Sequence, residues 1–147
     1  MSTSIKKTQR HGKAKYLQGD FFSQKNGENF PYKSSYELAY LNLIEIDSTI
    51  IKYIYEPFEL YYIDVNGKQR IYRPDFMLLY SCGKIEIVEI KPKAMLKDFD
   101  VQSKARSCKL YIEENYRNIN ISYKFVTEKD LFNSNKEYQD FLKSTKI

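Results

Sequence analysis

Two apolar runs joined by a four-residue turn constrain the fold of this chain more than any other feature. The first run extends from Ile71 to Tyr80, the second from Ile85 to Lys91, and Ser81-Cys82-Gly83-Lys84 connects them. Short apolar runs that flank a glycine-containing turn predict a β-hairpin. In the second run both alternating faces are mainly apolar, which predicts an inner strand covered on both sides.

Acidic and basic groups lie where the two strands of this hairpin meet. Asp75 follows Pro74 on the first run, and Glu89 and Lys91 lie on the second, beginning fourteen residues after Asp75. A Glu-x-Lys triplet on a solvated strand is the simpler interpretation, but an inner strand needs another reason to carry these charges. Two carboxylates and a lysine side by side can bind a divalent cation and orient a water for phosphodiester hydrolysis. Because Pro74 lacks a backbone donor, we expect a bend or bulge beside Asp75.

A third carboxylate lies on a predicted helix, from Ser34 to Asp47. Ser34 is typical of an N-cap, and Glu37 is an acid in the first turn. On a helical wheel Glu37 falls on the apolar face. A buried carboxylate must be paired, protonated or bound to a metal. Pairing with a buried Lys or Tyr is one interpretation, and we favour the other, membership of a metal site.

These motifs together resemble the PD-(D/E)xK nuclease signature, which reads here as Pro74-Asp75 and then Glu89-x-Lys91. With Glu37, Tyr55-Glu56-Pro57 and Val88-Glu89-Ile90-Lys91-Pro92, the stretch 34–132 resembles the catalytic domain of TnsA-type transposase endonucleases. Related domains occur in small phage endonucleases, including head-completion nucleases. The resemblance implies an α/β (α+β) fold with a restriction-endonuclease-like α-β-β-β-α-β core, whose mixed central sheet is flanked by helices.

The resemblance also implies roles for individual residues. Asp75 and Glu89 would be ligands of Mg²⁺, with Mn²⁺ as a substitute, and Glu37 would be an accessory ligand. The backbone carbonyl of Ile90 would supply a further ligand, and Lys91 would orient the attacking water. TnsA-type proteins carry a further helical domain, and we expect none in this chain.

Periodicity and turn signals predict the same order of elements. Residues 1–33 are polar and basic and predict a partly disordered arm, and residues 34–147 predict a single nuclease-like domain. Asn66-Gly67 is typical of a hairpin turn. After the helix from Ser34, the predicted elements are strands near Ile51–Ile63, Gln69–Tyr80 and Ile85–Lys91, a helix near Asp100–Asn115, a strand over Ile121–Val126, and short helical segments from Glu128 onward.

The charge of the chain favours a polyanionic partner. The formal net charge is +5 over 147 residues, which suits DNA. Arg106 and Lys109 are better explained as a solvated helix face. The residues that we expect to contact DNA are Lys13, Lys15, Lys93, Gln102 and Lys104.

Other classes of protein fit the sequence poorly. No apolar run approaches the roughly 20 residues of a membrane-spanning helix, and the N-terminus lacks the apolar segment of a signal peptide. The two cysteines do not make a disulfide framework, and the single histidine, His11, is far from both in sequence. We expect an intracellular protein without a membrane partner, located in a host cytoplasm or in a virion.

The sequence therefore predicts a metal-dependent DNA endonuclease encoded by a phage or a mobile element. Two alternatives stay open. A virion structural protein, such as a head-completion or neck and portal ring component, would bind other phage head proteins. A branched-DNA resolvase would use the same site and act as a homo-oligomer.

Overall fold

Nine strands and four α-helices make up the chain in this computed structural model, which describes residues 3–10 and 14–145, with side chains from residue 17 onward. The strands are β1 (Thr3–Arg10), β2 (Ala14–Ser23), β3 (Glu28–Ser34), β4 (Ile50–Tyr55), β5 (Leu60–Ile63), β6 (Gln69–Tyr72), β7 (Phe76–Tyr80), β8 (Ile85–Ile90) and β9 (Ile121–Val126). The helices are α1 (Ser35–Ile46), α2 (Phe99–Asn115), α3 (Glu128–Leu131) and α4 (Asn135–Ser144), with a short 3₁₀ turn at Lys93–Met95. The described residues fall into a central unit, Thr49–Phe125, and a terminal unit formed by the rest.

A mixed four-stranded sheet with the order β4-β7-β8-β9 forms the centre of the central unit. Strand β7 pairs antiparallel with both β4 and β8. Helix α2 then connects β8 to β9, which returns beside β8 as a helical crossover predicts. Five of the six residues of β8 are buried, so the inner strand covered on both faces is confirmed. The predicted mixed sheet flanked by helices is confirmed as well.

The two long strands predicted over 51–63 and 69–80 are each broken in two. Strands β5 and β6 form a separate antiparallel hairpin, closed at Asn66-Gly67 as predicted, where Gly67 has a φ of 79°. The breaks fall beside Pro57 and Pro74, because proline has no N–H to donate to a strand ladder. The predicted bend at Asp75 is therefore observed, and Pro74 itself is fully buried.

Helix α2 attaches the β5–β6 hairpin to the rest of the central unit. Its buried face includes Val101, Ala105 and Cys108, which recur at the i, i+4 and i+7 spacing of one helical stripe. The Ser103 hydroxyl donates a hydrogen bond of 2.7 Å to the Ile63 carbonyl of β5. The hairpin and α2 therefore share one core, whose buried members are Leu60, Tyr62, Tyr72, Ile87 and Cys108.

The terminal unit contains the three-stranded sheet β1-β2-β3 and helices α1, α3 and α4. Helix α1 begins as predicted, because the Ser34 side chain accepts a hydrogen bond from the Glu37 N–H. The core of this unit is rich in aromatic rings. Phe132 lies with its ring centroid 6.3 Å from that of Tyr36 and 5.0 Å from that of Tyr138.

The region predicted as a disordered arm differs from that expectation over residues 17–33. There β2 and β3 pair around a turn at Asn26-Gly27, and Leu17, Phe30 and Tyr32 are buried. Average polarity hides the alternation of polar and apolar residues in β3, and the partly disordered arm over residues 1–33 stays a prediction. The predicted domain boundary at residue 33 stays a prediction.

Phe30→Ala should therefore destabilise the protein, whereas a truly disordered arm would tolerate the change. Phe30 is 3% exposed, and truncating a buried phenylalanine costs about 3–5 kcal/mol of the free energy of unfolding. Phe22→Ala is the matched control, because Phe22 lies on β2 with 47% of its surface exposed. Urea denaturation of both variants tests the assignment, which an unchanged midpoint for Phe30→Ala would overturn.

Two further sequence-based exclusions concern cysteines and membranes. Cys82 is exposed and Cys108 is buried, and both are free thiols. Over the part of the chain that the structure describes, no helix combines the length and the apolar character needed to span a bilayer.

Candidate active site

The register of β7 and β8 brings Asp75 and Glu89 together. Phe76 pairs with Val88 at the end of the ladder, so the next position places Asp75 opposite Glu89. Asp75 lies at the bend that Pro74 introduces. There its Oδ2 accepts a hydrogen bond of 2.7 Å from the backbone N–H of Ile90, which fixes the carboxylate against β8.

Glu89 is buried, with 5% of its surface exposed. Its Oε1 accepts a hydrogen bond of 2.7 Å from the Tyr72 hydroxyl. Its Oε2 lies 4.0 Å from the Lys91 ammonium, a distance too long for a hydrogen bond. Lys91 retains 25% side-chain exposure, so it can reach a molecule that enters from solvent.

The fold disfavours the charged form of both carboxylates. Burial raises the pKa of Asp75 well above its usual range, and the negative charge of Glu89 raises it further. The Ile90 N–H and the Lys91 ammonium oppose this rise only in part. Burial also raises the pKa of Glu89, against the opposing effects of the Tyr72 hydrogen bond and of Lys91. The positive charge near the pair is therefore too small to offset its burial.

Glu86, on the opposite face of β8, shows what a compensated buried glutamate looks like. Its carboxylate accepts a hydrogen bond of 2.6 Å from Tyr80 and lies 3.3 Å from the Lys84 ammonium and 3.1 Å from that of Lys124. Burial alone would raise its pKa, but the Tyr80 hydroxyl and Lys124 outweigh burial and leave the pKa below its usual value. The charge of Glu86 is therefore compensated by its neighbours. The charges of Asp75 and Glu89 are not, and this difference distinguishes the two acids from Glu86.

The donor set fits a hard divalent cation. Asp75 and Glu89 offer carboxylate oxygens, and the backbone carbonyl of Ile90 follows directly on β8, all oxygen donors of the kind that Mg²⁺ prefers. A bound cation would supply the positive charge that the pair lacks. Among the described residues, no group of three or more Asp, Glu, His or Cys side chains is placed to hold a metal ion.

Glu37 lies in the terminal unit, in the first turn of α1. It is half-buried, and its Oε1 accepts a hydrogen bond of 3.0 Å from the Lys33 N–H. The predicted burial of Glu37 is therefore only partial, because Glu37 lies at the start of the helix and contacts the end of β3. Its role as an accessory ligand stays a prediction.

Lys104 lies close to the acidic pair, whereas the other predicted DNA contacts lie on the surface or outside the described region. The Lys104 ammonium lies 5.2 Å from the ring centroid of Tyr62 and 5.6 Å from that of Tyr72. Burial lowers the pKa of Lys104, and repulsion from Lys91 lowers it further. Gln102 and Lys93 are exposed, and Gln102 donates to the Leu96 carbonyl. Lys13 lies outside the described residues, and of Lys15 only the backbone in β2 is described.

Three residues that the sequence analysis did not assign to the site contact it. Tyr72 donates to Glu89, and its hydroxyl oxygen lies 2.9 Å from that of Tyr123 on β9. Glu56 donates its N–H to the Asp75 carbonyl at 2.9 Å and adopts a φ of 46°, a left-handed conformation that is uncommon outside glycine. Proline after Glu56 is the one sequence signal for an unusual backbone there.

The central part of the chain matches a known protein family. A family model described as TnsA-like endonuclease N terminal matches residues 47–128, more than half of the chain. The matched range contains Asp75, Glu89, Lys91 and Lys104, while Glu37 precedes it. No curated protein matches the chain.

Proposed function

The chain belongs to the family of TnsA-like endonuclease N-terminal domains, and on that premise we propose that it is a Mg²⁺-dependent endonuclease that hydrolyses phosphodiester bonds of DNA. The observation that carries the proposal is the pairing of half-buried Asp75 with buried Glu89, whose pKa values are both raised. Such a pair is costly for a fold to retain unless it serves a site. Lys91 beside it adds the partly exposed cation that a phosphate substrate requires.

Each residue has one task in this proposal. Asp75, Glu89 and the Ile90 carbonyl would hold Mg²⁺, which would supply charge neutralisation at the scissile phosphate and a lower pKa for the attacking water. Lys91 donates hydrogen bonds to that water and adds positive charge where negative charge develops in the transition state. Glu37 is proposed as an accessory ligand.

The cationic residues near the acidic pair are proposed to position the DNA backbone. Lys104 and the exposed Lys93 would contact phosphates, and Gln102 would donate a hydrogen bond to one. Lys13 and Lys15 would extend the contact along the duplex. Such contacts set the affinity for DNA and its dependence on salt. They take no part in the cleavage of the phosphodiester bond.

Plasmid cleavage tests the proposed activity. The purified chain should convert supercoiled plasmid into nicked or linear DNA in the presence of Mg²⁺ or Mn²⁺, and EDTA should stop the reaction. Asp75→Asn is the control against a contaminating nuclease. Cleavage that survives both EDTA and this substitution would contradict the proposal.

Cleavage of other DNA substrates, together with sedimentation and DNA binding, separates the two alternatives drawn from the sequence. A branched-DNA resolvase would cut a four-way junction in preference to a linear duplex of the same sequence and would behave as a dimer in sedimentation. A virion component would bind DNA without cutting it under any metal condition. We propose the endonuclease first because the acidic pair retains the groups that catalysis needs.

A further inference from the structure

A directed chain of hydrogen bonds holds Glu89. The Tyr72 hydroxyl lies 2.7 Å from Oε1 of Glu89 and 2.9 Å from the hydroxyl of Tyr123. A tyrosine has a single hydroxyl proton, and Tyr72 donates its own to the carboxylate. The proton in the second contact therefore comes from Tyr123, and the order of donation is Tyr123 to Tyr72 to Glu89.

The chain joins three strands that are far apart in sequence. Glu89 lies on β8, Tyr72 at the end of β6 and Tyr123 on β9. Tyr72 is only 3% exposed, and its ring packs edge to face against Tyr62 with centroids 6.4 Å apart. The donors are consequently held by the folded core, and solvent cannot replace the Tyr72 hydroxyl at Oε1.

The hydrogen bond occupies one oxygen of Glu89 and thereby orients the other. The terminal torsion of a glutamate is broad, so burial alone does not fix the carboxylate plane. With Oε1 held by Tyr72, Oε2 is the oxygen that lies on the side of Lys91, 4.0 Å from its ammonium. Oε2 is therefore the oxygen that Glu89 would offer to a bound cation.

We propose that Tyr72 is a positioning residue that presents Glu89 to the metal, and that Tyr123 supports it by donating to its hydroxyl. The proposal rests on the metal-dependent function proposed above. The ring of Tyr72 belongs to the buried cluster that also contains Leu60, Tyr62 and Cys108. The hydroxyl contacts Glu89 and Tyr123, and the substitution Y72F would remove it while keeping the packing of the ring. Outer-shell partners of this kind typically contribute 10–100-fold to metal affinity or activity.

The test compares Y72F, Y123F, the double variant Y72F/Y123F and the control Y62F. Tyr62 is buried in the same core at 8% exposure, so Y62F removes a hydroxyl from the same environment without touching the chain of hydrogen bonds. Titration calorimetry with Mn²⁺ gives metal affinity without any need for cleavage. Cleavage at increasing Mg²⁺ concentrations gives the apparent metal constant, and the KM for DNA is measured beside it.

We expect Y72F to weaken Mn²⁺ binding by about 10–100-fold and to leave the KM for DNA unchanged. Y123F should weaken binding by roughly two- to fourfold, since it removes only the cooperative support of the Tyr72 bond. The double variant should match Y72F, because Tyr123 acts only through Tyr72. Y62F should match the wild type.

The outcomes separate this inference from the proposed function. If the wild type neither binds Mn²⁺ nor cleaves DNA, the proposed function fails and the positioning role fails with it. If the wild type does both and Y72F behaves as Y62F does, only the positioning role is overturned. Circular dichroism melting checks that each variant folds. If Y72F does not fold, Y123F decides the question. Native-like melting of Y123F with unchanged Mn²⁺ affinity would reject the chain of hydrogen bonds.

Discussion

Asp75→Asn should abolish DNA cleavage and at the same time raise the free energy of unfolding of the metal-free protein. Asparagine keeps an oxygen that can accept the Ile90 N–H, but it removes one of the two opposed negative charges. Loss of a metal ligand should lower the cleavage rate by about three orders of magnitude or more. The gain in stability follows because the raised pKa of Asp75 shows that its charge is unfavourable in the folded state.

The pH dependence of stability independently tests whether the charge of Asp75 destabilises the metal-free protein. In the unfolded chain Asp and Glu titrate near pH 4, whereas folding raises the pKa of both Asp75 and Glu89. Above about pH 4 this pair therefore binds more protons in the metal-free folded protein than in the unfolded chain. Its contribution to the free energy of unfolding should fall as the pH rises towards the pKa of the folded pair, and Asp75→Asn should remove much of that fall, which is read as the difference between the two proteins at each pH. Mg²⁺ should stabilise the wild type at neutral pH and leave the variant unchanged.

Glu86→Gln is the matched control on the same strand. The pKa of Glu86 is held low by Tyr80, Lys124 and Lys84 against burial, so its charge stabilises the fold above the unfolded pKa. We expect the glutamine variant to be less stable than wild type at neutral pH and to cleave DNA. Urea unfolding between about pH 4 and pH 8, with and without Mg²⁺, distinguishes the two acids. Equal stability changes for both variants would contradict the assignment.

The position of the acidic pair was predictable because a hairpin has a two-residue period. Once the turn at 81–84 joins the two apolar runs, the register follows, and with it the pairing of Asp75 with Glu89. The bend at Pro74 was equally predictable from its missing donor. Helix α2 and strand β9 followed from the 3.6-residue stripe and the crossover rule.

The hydrogen-bond chain to Glu89 could not be predicted, because its members meet only through tertiary packing. Tyr123 and Tyr72 are 51 residues apart, and among 14 tyrosines no local pattern singles out these two. Their meeting depends on the break at Pro57, which frees β5 and β6 to form their own hairpin against α2. Strands β2 and β3 were missed for a different reason, since a polarity average over 33 residues concealed their alternation of polar and apolar residues. A search for hairpin dipeptides would have found Asn26-Gly27.

Lys91→Ala should separate catalysis from metal binding. The Lys91 ammonium lies 4.0 Å from Oε2 of Glu89, beyond hydrogen-bond range, and a quarter of the side chain is exposed. This position suits an ammonium group that donates to the substrate and the attacking water. It does not suit a group that positions the two carboxylates. Removing it should lower the cleavage rate at saturating Mg²⁺ and DNA by about two orders of magnitude, as for other positioned donors in the transition state.

Metal affinity should survive this substitution, because removing a cation beside two carboxylates leaves them more attractive to Mn²⁺. Lys109→Ala is the control, since Lys109 is exposed on α2 and the sequence favours a solvated role for it. Calorimetry and single-turnover cleavage, measured on both variants, distinguish three roles for Lys91. A lower rate with intact Mn²⁺ binding supports the proposed role. Lost Mn²⁺ binding would make Lys91 a support of the ligands, and a raised KM with an unchanged rate would make it a phosphate contact.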